Sequence, residues 1–385
     1  MSARDDSPDP AATARPRLAV LKVGSAVIAG PSGLDRPTLG RIARDIAGAR
    51  AAGARVVLVS SGAVACGLAE VAPHASDPAR LSIADRQAAA AAGQSRLIAG
   101  WADALAPHGI VPAQVLLTAD DIDFRARFVN ARRTLARLLD LGLLPVVNEN
   151  DSVAFDEIKL GDNDRLAALV GALADADLLV LLSRADGLRR GGPEGRLIEE
   201  ITDFDEAASH ATDERSPVGT GGMRSKLEAA RTASQMGIEV VIAGARAESP
   251  LARALRAEPV GTRVMPPASA PPHAARKRWI AHALVPRATL TVDEGARTAI
   301  ESRGASLLPR GVVGIDPADV PPGTAVDVRT PGGGPFARGL IAYSGGEIQR
   351  IRGLPTDGIE AALGYRTADE IIHRDDMILL RDTRI

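Results

Sequence analysis

Lysine is the scarcest of the four charged residue types in this chain. Of 46 basic residues among 385, only four are lysine: Lys22, Lys159, Lys226 and Lys277. Ammonium and guanidinium serve about equally as surface charge, but only the ammonium is a compact, mobile point charge. Each lysine in so arginine-rich a chain is therefore a position to inspect. Cysteine is nearly absent. Cys66 alone excludes an internal disulfide and a Cys-rich metal site, and fits a reducing cytoplasm. The six histidines (74, 108, 210, 273, 282 and 373) include no pair at ligand spacing. A formal net charge of -2 lacks the cationic excess of a general polyanion binder. No apolar run suffices for a membrane span: the best, Leu166 to Leu182, is broken by Asp175 and Asp177 and predicts a helix followed by a buried strand. The first 16 residues lack the apolar core of a signal peptide and are expected to form a disordered tail.

What is present is a long alternation. From residue 17 to about 265, β-branched runs (Leu18–Val23, Arg55–Ser60, Ile110–Leu116, Leu144–Asn148, Leu178–Leu182, Glu239–Ala243) alternate with Ala-rich helical stretches (Thr38–Ala52, Ala84–Ala106, Phe128–Leu141, Asp164–Leu173, Lys226–Met236). The pattern predicts an α/β domain, a mostly parallel sheet sandwiched by helices, and the continuously apolar strands predict burial on both faces. Residues 266–276 form a Pro-rich linker. Beyond it, short runs (Gly311–Ile315, Thr324–Arg329, Phe336–Ser344) separated by Pro/Gly turns predict a small β-rich domain over 277–385, of barrel type.

Four segments of the first domain carry unusual chemistry, and ligands bind open α/β sheets at the carboxyl ends of the strands. Lys22-Val-Gly24-Ser25 ends the first strand and combines a cation with small residues whose amides suit phosphate. Ser60-Ser61-Gly62-Ala63 enters a helix, where the N-terminus favours an anion, although an ordinary serine N-cap is the commoner meaning of such a serine. Cys66, in the same helix start, has no His or carboxylate placed to activate it and is expected to be a packing residue. Asn148-Glu149-Asn150-Asp151 is dense in hydrogen-bonding groups, as a loop gripping a zwitterion needs. In Gly161-Asp162-Asn163-Asp164, just after Lys159, one aspartate suits a helix cap and the other could organise a lysine or Mg2+. Gly219-Thr220-Gly221-Gly222-Met223-Arg224-Ser225-Lys226 is glycine-rich and ends in lysine. It is neither a Walker A loop, since Ser precedes Lys, nor a dinucleotide fingerprint. Two lysines with carboxylates between them make sense for phosphoryl transfer to a carboxylate, where both reactants are anionic and the acceptor needs no general base.

These segments, with Ala92-Gly-Gln-Ser-Arg96, Leu117-Thr118 and Arg127-Phe-Val-Asn-Ala-Arg132, resemble in order the glutamate 5-kinases of the amino acid kinase family. Lys277-Arg-Trp279, Val292-Asp-Glu-Gly295, Ser306-Leu-Leu-Pro309 and His373-Arg-Asp-Asp-Met377 extend the resemblance to about residue 380. It implies that Lys22 and Lys226 contact the ATP phosphates and the transferred group, and that Asp164 orients both lysines. Ser61, Asp151 and Asn163 would bind L-glutamate. Thr220, Gly221, Gly222, Met223, Arg224, Ser225 and Lys226 would cradle the nucleotide. Ser183 and Arg184 stand at a nucleotide-side position where the family usually has Thr-Asp. The resemblance also implies ATP with Mg2+ held mainly through its phosphates, feedback inhibition by proline, a homo-oligomer (dimer or tetramer), and a product passed to glutamyl phosphate reductase.

The segment from 277 onward resembles the PUA module known from RNA-modifying enzymes. Its 14 basic and 14 acidic residues and four aromatics (Trp279, Phe336, Tyr343, Tyr365) argue for a structural or regulatory role over RNA binding. The alternatives are another amino acid kinase, such as an acetylglutamate or uridylate kinase, and an RNA-binding regulator built on a kinase-like fold.

Overall fold

The computed structural model describes residues 17–30, 33–72, 81–118, 121–122, 125–153, 163–211, 222–267 and 285–380. The first domain is built on one eight-stranded sheet. Its strands are β1 (Leu18–Val23), β2 (Arg55–Ser60), β3 (Pro112–Leu117), β4 (Leu144–Glu149), β5 (Leu178–Ser183), β6 (Glu200–Ile201), β7 (Glu239–Gly244) and β8 (Thr262–Val264). They lie in the order β3, β4, β2, β1, β5, β7, β8, β6. All neighbouring pairs are parallel except β7 with β8. Besides a single helical turn at Ser25–Ile28, the helices are α1 (Arg36–Ala51), α2 (Ala63–Val71), α3 (Ile83–Leu105), α4 (Arg125–Asp140), α5 (Asn163–Ala174), α6 (Phe204–His210), α7 (Met223–Gln235) and α8 (Pro250–Leu255). None of the described helices is long and apolar enough to cross a membrane.

Side chains alternate along a strand, so each strand feeds two cores. Leu18 and Val20 of β1 pack into the apolar cluster that holds α5 and α7, while Ala19, Leu21 and Val23 join the one holding α1 and α3. Lys22 shares the parity of Leu18 and Val20, which aims it at the α5/α7 face. Ser60 of β2 shares the parity of Val56 and Leu58, which belong to the α1/α3 face. Because β1 is flanked by β2 on one side and β5 on the other, the chain order reverses at β1. The crevice beyond its carboxyl end is the expected place for a ligand.

Helices α2 and α3 cross unusually closely. A Cβ on Gly67 would lie 2.0 Å from the Ala89 carbonyl oxygen, and one on Gly93 would lie 1.8 Å from that of Ala63. Only glycine allows backbones this near, and the crossing holds α3 against the start of α2.

The second domain has its own sheet: β9 (Ala288–Val292), β10 (Val312–Asp316), β11 (Ala325–Arg329), β12 (Ala337–Leu340) and β13 (Met377–Leu379), in the order β10, β9, β11, β12, β13. Strands β9 and β11 are parallel and the other pairs antiparallel. The sheet packs with α9 (Glu294–Arg303), α10 (Gly345–Ile351) and α11 (Gly358–Leu363) around Leu290, Val326, Val328, Ile348 and Ile359. The expected strand Phe336–Ser344 is shorter than predicted. It stops at Leu340, and Ser344 instead opens α10 through a reciprocal cap with Glu347. The expected linker falls outside the described residues from 268 onward.

Candidate active site

Lys22 leaves the carboxyl end of β1 and is only 4% exposed. Its ammonium pairs with Asp164 Oδ1. A Cβ on the neighbouring Gly24 would lie 3.4 Å from Lys22 Nζ, an ordinary van der Waals contact. Asp164 lies in the first turn of α5 with no exposed surface. Its Oδ2 accepts from Lys226 Nζ at 3.0 Å and from Ser225 Oγ at 3.0 Å. Lys226 stands in the first turns of α7, 7% exposed, and its backbone N–H reaches the Gly222 carbonyl at 3.4 Å. Gly222 is the N-cap of α7 and contributes no side-chain cap, so the helix presents backbone N–H groups at its start.

Burial alone would push the Asp164 carboxyl up, but the Lys22 and Lys226 ammoniums outweigh it and hold the group down at about 2. Two cations share one carboxylate, so the cluster carries a surplus positive charge in a dry setting. An anion is the natural complement of that surplus.

A second cluster gathers next to it. Asn163, adjacent to Asp164, donates from Nδ2 to Ser61 Oγ at 2.8 Å and to Asn148 Oδ1 at 3.2 Å. Asn163 Oδ1 is buried and has no hydrogen-bond partner among the described residues. Ser61 is not the N-cap of α2. That place is taken by Gly62 at φ 113°, a left-handed backbone that glycine allows, which leaves the Ser61 hydroxyl for the cluster. Asp151 sits in the turn that follows β4, and burial raises its carboxyl to about 6. Gln94 of α3 donates to the Glu149 carbonyl at 3.3 Å in the same loop.

On the remaining side, Ser183 ends β5 in register with Gly244. Arg184 follows, and its Nε donates to the Ala26 carbonyl at 2.7 Å, tying the end of β5 to the turn after Lys22. Met223 and Arg224 occupy the first turn of α7. The structure thus brings Lys22, Asp164, Ser225 and Lys226 together, and beside them Ser61 and Asn163. Thr220 and Gly221 lie outside the described residues, as do Lys159, Gly161 and Asp162. Cys66 is buried, and burial pushes its thiol up to about 11, so it is no nucleophile. Asn148 and Ser60 were visible only as members of motifs. Trp101 carried no sequence signal, and its indole Nε1 donates to Ser60 Oγ at 2.9 Å.

A mostly parallel sheet with two lysines and an aspartate converging at its switch point suits phosphoryl transfer, and the matches to known proteins agree. Residues 17–244 match the amino acid kinase family and residues 288–363 the PUA domain. The chain belongs to the amino acid kinase family. Across most of its length it is similar to proteins named glutamate 5-kinase. The one from Geobacter sulfurreducens is 46% identical over 369 residues, covering 94% of this chain and 97% of that protein. Those from Stutzerimonas stutzeri and Thermus thermophilus are 46% and 43% identical, each covering 94% of this chain and 97% and 96% of their own lengths.

Proposed function

We propose that this protein is a glutamate 5-kinase: it transfers the γ-phosphoryl group of ATP to the side-chain carboxylate of L-glutamate, giving ADP and L-glutamyl 5-phosphate. The buried Lys22–Asp164–Lys226 cluster, with the hydrogen-bonded Ser61–Asn163–Asn148 group at its edge, carries this reading.

A carboxylate oxygen of glutamate attacks the γ-phosphorus while the bond to the β,γ-bridging oxygen breaks, and that electron pair leaves with ADP. The nucleophile is already ionised, so no base need take a proton from it. The work left to the protein is positioning and neutralisation of spreading negative charge. Lys22 approaches from the β1 turn and Lys226 from α7. Asp164 grips both, so their geometry is set before substrate arrives. The N–H groups of Met223, Arg224 and Ser225 at the start of α7 suit nucleotide phosphates, and Thr220, Gly221 and Gly222 are assigned to the same role from their motif. Ser61 and Asn163 hold glutamate, with Asn163 Oδ1 and the Asp151 carboxylate suited to its ammonium group. Mg2+ would be held mainly through the ATP phosphates, where it would add to the neutralisation of their charge. Both Asp164 oxygens are engaged by lysines, which fits an organiser of cations rather than a metal ligand.

By the same reading the product opens proline biosynthesis and passes to glutamyl phosphate reductase. Proline then competes for the glutamate pocket, and the enzyme works in the cytoplasm as a homo-oligomer. The domain over 277–385, joined through 266–276, is structural or regulatory. A coupled ADP-release assay tests the central claim: turnover should require glutamate and fall when proline is added. Release that prefers N-acetylglutamate or UMP over glutamate would overturn it.

A further inference from the structure

We infer that Trp101, on the far side of the sheet from the lysine cluster, is a positioning residue for the acceptor pocket. Trp101 is fully buried in α3, and its indole Nε1–H donates to Ser60 Oγ at 2.9 Å. An indole N–H can only donate, so it fixes the Ser60 oxygen as an acceptor and turns the hydroxyl proton elsewhere. That proton goes to the Ser61 carbonyl, 3.1 Å away. The Ser61 N–H is held in turn by the Val23 carbonyl at 2.9 Å. With both sides of Ser61 secured, its Oγ is presented to Asn163 Nδ2 at 2.8 Å, and Asn163 reaches Asn148. A hydrogen-bonded chain therefore runs from the core of α3 through β2 to the proposed glutamate site.

Two features say that this chain is more than core filling. Ser60 faces the α1/α3 core by strand parity and is fully buried, yet it is polar, and a buried hydroxyl without partners is costly. The Gly67–Gly93 crossing also seats α3 closely enough for the indole to reach it. The lysine cluster occupies the opposite face, so the relay touches acceptor binding and leaves phosphate binding alone.

The inference rests on the reading that Ser61 holds glutamate. Trp101→Phe keeps an aromatic ring in the core and removes the donor together with a small part of the buried volume. It should raise KM for glutamate about three- to tenfold, with KM for ATP and kcat within about twofold, in keeping with the loss of one buried hydrogen bond. Ser60→Ala should do the same, and the double variant should be no worse than the poorer single one, because both break one chain. Multiplying effects in the double variant, or a Trp101→Phe protein with lowered Tm but unchanged KM for glutamate, would overturn the inference. A second readout uses Trp279→Phe protein, in which Trp101 is the sole indole. Its emission should shift on saturation with glutamate but not with ATP, and an emission indifferent to glutamate counts against the relay. Wild-type protein that does not phosphorylate glutamate would sink the functional reading itself, a failure visible before any variant is made.

Discussion

In the half of the site proposed to bind phosphate, a carboxylate with no exposed surface is clasped by two ammoniums. In the half proposed to hold the acceptor, a hydroxyl and two amides hold one another by neutral hydrogen bonds, with Asp151 in the neighbouring turn. The first arrangement is all-or-none. Removing one member leaves charge buried without a partner, which costs about 3–5 kcal/mol in comparable sites. The second is graded, since each hydrogen bond contributes only about 1 kcal/mol net. The halves also differ in their response to pH. Asp164, lowered from 3.8 to about 2, contributes stability that is complete above about pH 4 and is lost as pH falls towards 2. Asp151, raised to about 6, changes charge close to working conditions.

The division is broken most directly at Asp164. Asp164→Asn removes the charge that reconciles Lys22 with Lys226, so kcat should fall by about a thousandfold or more, with Tm clearly lowered. Calorimetry and ADP release measure the two effects. A variant with near-wild-type turnover would show that the cluster is structural only. Lys226→Arg and Lys22→Arg keep the charge but replace a point donor with a rigid fork, and should cost about a hundredfold or more in kcat while circular dichroism stays unchanged. If arginine works at either position, lysine scarcity carried no chemical meaning there.

The acceptor half is tested by pH. On the proposed reading the glutamate ammonium pairs with ionised Asp151, which is about one-tenth ionised at pH 5 and about nine-tenths at pH 7 for a group near 6. KM for glutamate should therefore rise about tenfold from pH 7 to pH 5, while KM for ATP changes little. In Asp151→Asn the dependence should vanish and KM should stay high throughout. An unchanged pH profile in the variant removes Asp151 from the pocket.

How legible all this was differs between the same two halves. The lysine cluster could be anticipated because it is made of rare residue types at strand and helix ends, and Lys22, Asp164 and Lys226 do meet. The six major strands of the first domain also fall within two residues of their expected ends, because buried parallel strands leave continuous apolar runs. The hydrogen-bonded half was only partly visible. Ser61 and Asn163 stood out as motif members, whereas Ser60 looked like one more small residue and Trp101 like core in an Ala-rich helix. The Gly67–Gly93 crossing was hidden too, since a glycine within a helix reads locally as a cost. The short antiparallel strand β8 left no apolar run long enough to mark it. In the second domain Ser344-x-x-Glu347 did carry a helix-start signal, overridden by the β-branched and aromatic residues before it.

The smallest expected effect lies at the edge of the phosphate half. Arg184, at a position where the resemblance led to an expected aspartate, links the end of β5 to the Ala26 carbonyl in the helical turn after Lys22. Its guanidinium is exposed, so both the tether and the charge are partly screened by water. Arg184→Ala should raise KM for ATP about twofold by loosening the turn, and Arg184→Asp about fivefold by also placing a negative charge on the nucleotide side. The two contributions separate with salt. Raising ionic strength to about 0.5 M shortens the screening length, so the difference between Ala and Asp should shrink while the common loss of the tether persists. KM for glutamate should not move in either variant. If it does, Arg184 acts through the whole site, and the two halves are less independent than their separate chemistries indicate.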